Sequence, residues 1–193
     1  KDIKADFFDT KLVHMTGTNL SALMYVSTSA KERNVKVMFD PGRSVSHFGY
    51  SKLEPIMRNC DIVISNRVEM ARLMEIENER SAGIDEIADR AREVFDGEVL
   101  IIKQGSEKTI VLCDRSFEVD TFGVNVVDTL GAGDTFAGAF ATALVEGKSL
   151  EDCTVFANAA AALKVTKEGA QSSPTREELE AFLDKVSAQV RYL

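Results

Sequence analysis

Short, almost unbroken apolar runs return along this chain, each followed by a longer amphipathic stretch, and that alternation narrows the fold more than any other feature. Residues 35–39 (VKVMF), 61–65 (DIVIS) and 99–103 (VLIIK) are five residues long. Runs this short, apolar on both faces, read as strands buried between two layers rather than as helices. The intervening stretches carry apolar residues at helical spacing. Strand followed by helix in strict succession predicts an α/β fold, a mainly parallel sheet covered by helices on both faces. No internal repeat, low-complexity tract or Pro/Ser-rich linker interrupts residues 1–193, so a single domain is expected.

The finer pattern agrees. Residues 11–15 (KLVHM) form a brief strand ended by Thr16-Gly17-Thr18, and Asn19 caps a helix over 20–33 with Leu20, Leu23, Met24 and Ser27 on one face. Asp40-Pro41-Gly42 stops the next strand, and a helix follows near 52–58. Asn66 opens a short helix, 85–95 makes another, and 109–113 with 117–120 read as a hairpin about Asp114-Arg115. A strand-like run at 124–127 leads into Gly131-Ala132-Gly133 and a helix over 134–146. Helices over 150–164 and 175–188 close the chain, the last opened by Pro174 with Glu177 and Glu178 in its first turn.

Composition excludes several functions. The chain has 23 Lys+Arg against 31 Asp+Glu, a formal net charge of −8, which repels nucleic acid and anionic membranes. No apolar run approaches the ~20 residues of a membrane helix, and no signal-peptide pattern opens the chain. Cys60, Cys113 and Cys153 are odd in number, widely spaced and without CxxC, a pattern of buried inert thiols that suits a reducing cytoplasm. His14 and His47 stand alone and read as structural. An acidic chain of this kind must hold any phosphate by a local device.

That device is expected at Val127-Asp128-Thr129-Leu130-Gly131-Ala132-Gly133-Asp134-Thr135-Phe136. Two glycines allow a tight turn and close backbone approach to a ligand. The helix behind them begins with N–H groups that lack internal partners and carry partial positive charge, an anion site built from backbone. Asp134, in the same turn, can accept a proton from an alcohol while those amides stabilise a transferring phosphoryl group. The same residues also read as a plain strand–helix turn in which Asp134 only caps the helix. Phe136 stands where a dinucleotide fingerprint needs Gly, and no P-loop Gly-Lys-Ser/Thr occurs.

Asp128-Thr129-Leu130-Gly131-Ala132-Gly133-Asp134-Thr135-Phe136 resembles the second signature of the ribokinase-like (PfkB) family of carbohydrate kinases. The resemblance implies that Gly131, Ala132 and Gly133 form the anion hole and Asp134 is the base. Asn66-Arg67-Val68-Glu69 is similar to the family's Asn-x-x-Glu element, which implies that Asn66 and Glu69 organise Mg²⁺ through water. Lys103-Gln104-Gly105 resembles the nucleotide loop, with Lys103 in place of a Thr and Lys108 in place of a second Gly, and so assigns Lys103 and Gly105 to ATP. Asn158, followed by a run of small Ala residues, matches a position near the adenine. Gly169-Ala170-Gln171-Ser172-Ser173-Pro174 resembles the loop that, with Asp128, forms a monovalent-cation (K⁺) site in some members. Asp40-Pro41-Gly42-Arg43 is similar to a sugar-kinase segment in which Arg43 meets an anionic group, though a surface arginine reads equally well.

The family's Gly-Gly-Asp sugar-binding segment and small lid sheet are not visible in the sequence, so a ribokinase-like domain truncated at its N-terminus is expected. An edge left open by a missing lid could pair with a second copy. The resulting expectation is an ATP- and Mg²⁺-dependent phosphotransferase acting on an alcohol of a sugar or sugar-like metabolite. A nucleoside kinase of the same fold and a non-catalytic nucleotide-binding piece are the alternatives.

Overall fold

The computed structural model describes residues 3–193; the opening at Lys1 lies outside the described residues. The chain divides into two compact units, residues 1–103 with 111–114 and residues 104–110 with 115–193.

The first unit is a parallel sheet with helices. Strands β1 (Leu12–Met15), β2 (Lys36–Phe39), β3 (Ile62–Asn66) and β4 (Val99–Lys103) lie side by side in chain order. Val13 is opposite Val37, Met38 opposite Ile62, and Ile62 through Asn66 run opposite Val99 through Lys103. The apolar runs predicted these strands because Val37, Met38, Phe39, Ile62, Val63, Ile64, Ile101 and Ile102 are all buried. Helices α1 (Leu20–Lys31), α2 (Gly42–Ser46), α3 (Gly49–Met57), α4 (Arg67–Leu73) and α5 (Ile84–Val94) connect them. Asn19 caps α1 as expected, its side chain accepting from Ala22 N at 3.0 Å. The buried face of α1 runs through Leu23, Val26, Ser27 and Ala30, so Leu20 and Met24 sit at its margin. Helix α2 was not expected, because Asp40-Pro41-Gly42 reads as a break. Asp40 Oδ1 accepts from Gly42 N at 2.9 Å and thereby starts a new helix at that break.

The second unit carries β6 (Phe117–Asp120), α6 (Ala132–Val145), α7 (Leu150–Val165), α8 (Arg176–Leu183) and β7 (Val190–Tyr192). Strand β5 (Lys108–Leu112) is shared between the two units. Helices α6 and α7 pack through small residues, and Ala137, Ala143, Ala157 and Ala159 are fully buried. Ser149 caps α7 and Thr175 caps α8, the latter in a reciprocal capping box with Glu178.

Three expectations need correction. Residues 124–127 form no strand: Val126 and Val127 are 62% and 63% exposed, and Val127 N is taken by the Val165 carbonyl at 2.7 Å. The last helix stops at Leu183 rather than at 188, and the chain turns back as β7, antiparallel to β6. Cys60 and Cys153 are buried, their thiols pushed up to about 12 and about 11 by burial, but Cys113 is only half-buried.

The β6–β7 pair is held by charge. Arg191 Nε donates to Glu118 Oε1 at 2.8 Å and Arg191 Nη1 to Asp120 Oδ2 at 2.9 Å, while Lys108 pairs with Glu118 from β5. Glu118 is held below the usual carboxylate range, first by its bond from Lys108 and then by Arg191. A carboxylate depressed in the folded chain stabilises it above the unfolded value of about 4.3 and loses that contribution as the pH falls through and below it. Glu118→Gln is therefore expected to flatten the loss of thermal stability between neutral and acid pH, which melting curves across that range will measure.

Candidate active site

In the first unit, the carboxyl ends of the parallel strands collect the predicted polar residues, as the geometry of such sheets favours. Asn66 ends β3 and lies in register with Lys103, which ends β4. Asp40 directly follows β2, and its Oδ2 stands 3.4 Å from Lys103 Nζ, both side chains being largely buried. An ammonium in that setting is partnered by a carboxylate, so Lys103 meets an added phosphate only as half of an ion pair.

Asn66 and Glu69 are brought together by the first turn of α4. Asn66 Oδ1 accepts from Glu69 N at 2.9 Å, and Glu69 Oε2 accepts from Asn66 N at 3.4 Å and from Ser65 Oγ at 3.4 Å. This reciprocal capping box is the helix-start role that an Asn-x-x-Glu spacing supports on its own. It also fixes the carboxylate: both bonds use Oε2, and Oε1 stays outside the box. One oriented carboxylate oxygen and an amide fit a hydrated Mg²⁺, which prefers oxygen ligands and keeps most of its waters. Among the described residues, no three acidic, histidine or cysteine side chains cluster to hold a metal directly.

The second unit holds the glycine turn. Gly131 has φ +83°, in the left-handed region, and caps α6 without a side chain. A Cβ there would lie 2.4 Å from the Ala170 carbonyl oxygen, so the turn both needs glycine's conformation and has no room for a larger residue. Helix α6 starts at Ala132, two residues earlier than the sequence suggested, which puts Gly133 and Asp134 inside its first turn. The Ala132 amide donates to the Thr129 carbonyl at 3.2 Å, and among the described residues no side chain caps the amides of Gly133 and Asp134. They keep the partial positive charge of a helix N-terminus and face it with backbone alone. Asp134 is exposed and, with Gly131, Thr135 and Gly138, lines a cleft of about 380 Å³ between α6, α7 and the loop through Ala170 and Ser173. Thr135 Oγ1 and Ser173 Oγ are 2.7 Å apart and tie that loop to α6.

Asp128 is spent on the same turn. Its Oδ1 accepts from Leu130 N at 2.9 Å and its Oδ2 from Gly169 N at 3.0 Å, two bonds that hold its carboxyl below the usual range. The Lys164 ammonium donates to its carbonyl oxygen at 2.8 Å. Sequence reasoning did not single out Lys164. Its one sign was a lysine within an otherwise apolar and small-residue helix.

Gly105, after β4, has φ +65°, the left-handed geometry that a glycine there supplies. Next to it, Gln104 Nε2 is buried with no hydrogen-bond partner, a donor available to a ligand of the loop. Asn158 is 4% exposed, and its amide is committed: Oδ1 accepts from Thr109 Oγ1 at 2.8 Å and Nδ2 donates to the Asp120 carbonyl at 3.3 Å. It clamps α7 to β5 and the end of β6, so it shapes the surface beside it. Arg43 and His47 are exposed, while His14 lies half-buried on β1.

The model of the pfkB family carbohydrate kinases matches residues 2–177. An ATP-dependent ribose-1-phosphate kinase of Halopiger xanaduensis is 35% identical over 90% of this chain and 54% of its own length. A ribokinase of Haemophilus influenzae is 36% identical over 86% of this chain and 53% of its own length. The chain thus spans about half the length of the curated relatives it matches. A ribokinase structure from Thermotoga maritima superposes with a TM-score of 0.81 at 31% identity, over 94% of this chain and 60% of that one. The fold is accordingly that of ribokinases, with mostly parallel strands flanked by helices. A match to the family over nearly all of the residues, with its glycine turn intact at the head of α6, makes this chain a member of the pfkB family of carbohydrate kinases.

Proposed function

We infer that this chain carries the phosphate-handling portion of an ATP-dependent kinase that transfers the γ-phosphoryl group to an alcohol of a sugar or sugar-like metabolite. The observation that carries the reading is the start of α6: a left-handed Gly131 wedged against Ala170, the first-turn amides of Gly133 and Asp134 without a side-chain cap, and the Asp134 carboxylate beside a cleft. In this reading the Asp134 carboxylate accepts the hydroxyl proton as the alcohol oxygen bonds to the γ-phosphorus. The bond from that phosphorus to the bridging oxygen breaks, and ADP leaves. Amides of the Gly131-Ala132-Gly133 turn stabilise the charge on the transferring group. Such a reaction asks for positioning and charge neutralisation more than covalent chemistry, which suits a site made of backbone.

Asn66 and Glu69 would hold Mg²⁺ through water, with the capping box keeping the Glu69 carboxylate aimed. Bound Mg²⁺ supplies charge neutralisation for the phosphates. Gly105 and Gln104 offer the nucleotide a tight turn and an unspent donor, with Lys103 nearby in the chain and paired to Asp40. Asn158 supports the nucleotide surface indirectly, through Thr109 and Asp120. The matched relatives are named as ribose-1-phosphate kinase, ribokinase, nucleoside kinase and 5-dehydro-2-deoxygluconokinase. Their shared chemistry supports transfer to a hydroxyl group.

Two variants test the reading. Asp134→Asn is expected to lower kcat by about 10²–10⁴-fold, the usual contribution of a positioned base, while ATP binding changes little. A coupled ADP-release assay with ribose, ribose-1-phosphate, a nucleoside and 5-dehydro-2-deoxygluconate measures it and separates the acceptors; unchanged turnover overturns the role of Asp134. Gly131→Ala places a side chain in left-handed backbone, at about 1–2 kcal/mol, and drives a methyl into the Ala170 carbonyl. It is expected to lower the melting temperature and to weaken ATP binding in calorimetry together.

A further inference from the structure

Lys164 is fully buried, a position lysine almost never takes without compensation. Its ammonium reaches no carboxylate at ion-pair distance among the described residues. It donates instead to two main-chain carbonyl oxygens, that of Asp128 at 2.8 Å and that of Lys167 at 3.5 Å. Those oxygens belong to the two loops that build the glycine turn. Asp128 opens the first loop and binds the second with its carboxylate, through Gly169 N at 3.0 Å. The amides of Val127 and Asp128 both donate to the Val165 carbonyl, at 2.7 and 3.1 Å, and Gly131 lies against Ala170. The charge is thus the point from which 127–131 and 167–170 are held together. Burying an unpaired ion costs several kcal/mol, so carbonyls and a nearby carboxylate arranged around it form a built cation site, not a packing accident. Carbonyl oxygens with a neighbouring carboxylate are the donor set that suits a hard cation, and a primary ammonium is a compact point charge.

We propose that the Lys164 ammonium is a tethered cation that braces the phosphate turn, doing from within the chain what a free monovalent ion would do at the same carbonyls. Lys164 is a positioning residue: it acts on the turn through Asp128 and the 167–170 loop and touches no reacting atom. The proposal rests on the kinase reading only where nucleotide binding is the readout; the cation site itself is tested by melting.

Three forms of the chain are melted in choline, sodium, potassium and methylammonium chlorides at equal ionic strength, and their ATP binding is measured in the same salts. The unaltered chain is expected to melt at one temperature in all four. Lys164→Ala, which empties an ammonium-sized space beside the two carbonyls, is expected to melt lower in choline and to recover in potassium or methylammonium; folding only when such an ion is present supports the proposal equally. Lys164→Met keeps the aliphatic stem without the charge, fills the space, and is expected to stay low in every salt. ATP binding should weaken about tenfold in Lys164→Met, the loss of one charge-assisted hydrogen bond, with Lys164→Ala following its melting behaviour. Equal melting of Lys164→Ala in all salts overturns the proposal, as does a selective potassium response of the unaltered chain or a Lys164→Met chain as stable as the original. If the unaltered chain fails to bind ATP while Lys164→Ala still answers to potassium, the kinase reading falls and the tethered cation stands.

Discussion

The closeness of Gly131 to the Ala170 carbonyl is the constraint on which the second unit turns. With 2.4 Å between that oxygen and the place of a Cβ, only a residue without a side chain lets the chain pass, and φ +83° is the conformation that results. The start of α6, the direction of its first amides and the position of Asp134 all follow from that passage. The loop through Ala170 is held in its turn by Asp128, Lys164 and the Thr135–Ser173 contact. A substitution in any of these acts on the first turn of α6 by moving the wall against which the glycine turns.

Charge is used sparingly. The chain is strongly acidic, and the cations named above are already engaged: Lys103 by Asp40, Lys108 by Glu118, the exposed Arg191 by Glu118 and Asp120, Lys164 by carbonyls. In the proposed reading an arriving anion meets amides and dipoles rather than a field of loose lysines. Amides fixed by a helix need no reorganisation when charge develops near them, whereas exposed lysines lose side-chain freedom and are screened by salt. The same economy explains the capping box at Asn66 and Glu69, where one pair of side chains starts a helix and orients a carboxylate.

Strands β2, β3 and β4 were legible because a buried parallel strand leaves a continuous apolar run, and nothing competes with that reading of VKVMF, DIVIS and VLIIK. The same rule misread residues 124–127. Val126 and Val127 are as apolar as any strand residue, but Val127 and Asp128 give their amides to one carbonyl, Val165, and no ladder forms. Strand β7 left too little trace, three residues with an arginine in the middle whose carboxylate partners lie more than 70 positions away. At the site, the glycine turn was readable because backbone geometry limits the residue type. The partners of Asn158, Lys103 and Lys164 were not, since a side chain's partner across the fold leaves no mark on its local spacing.

Relatives named for different acceptors match this chain at identities from 36%, to a ribokinase, down to 26%, to a nucleoside kinase. In the proposed reading the transferring phosphate presents the same charge and geometry whatever alcohol receives it. Gly131, Asp128 and the carbonyls about Lys164 shape the turn assigned to that group. A turn fixed by backbone passage in this way is constrained by the phosphate it would hold and not by the choice of alcohol.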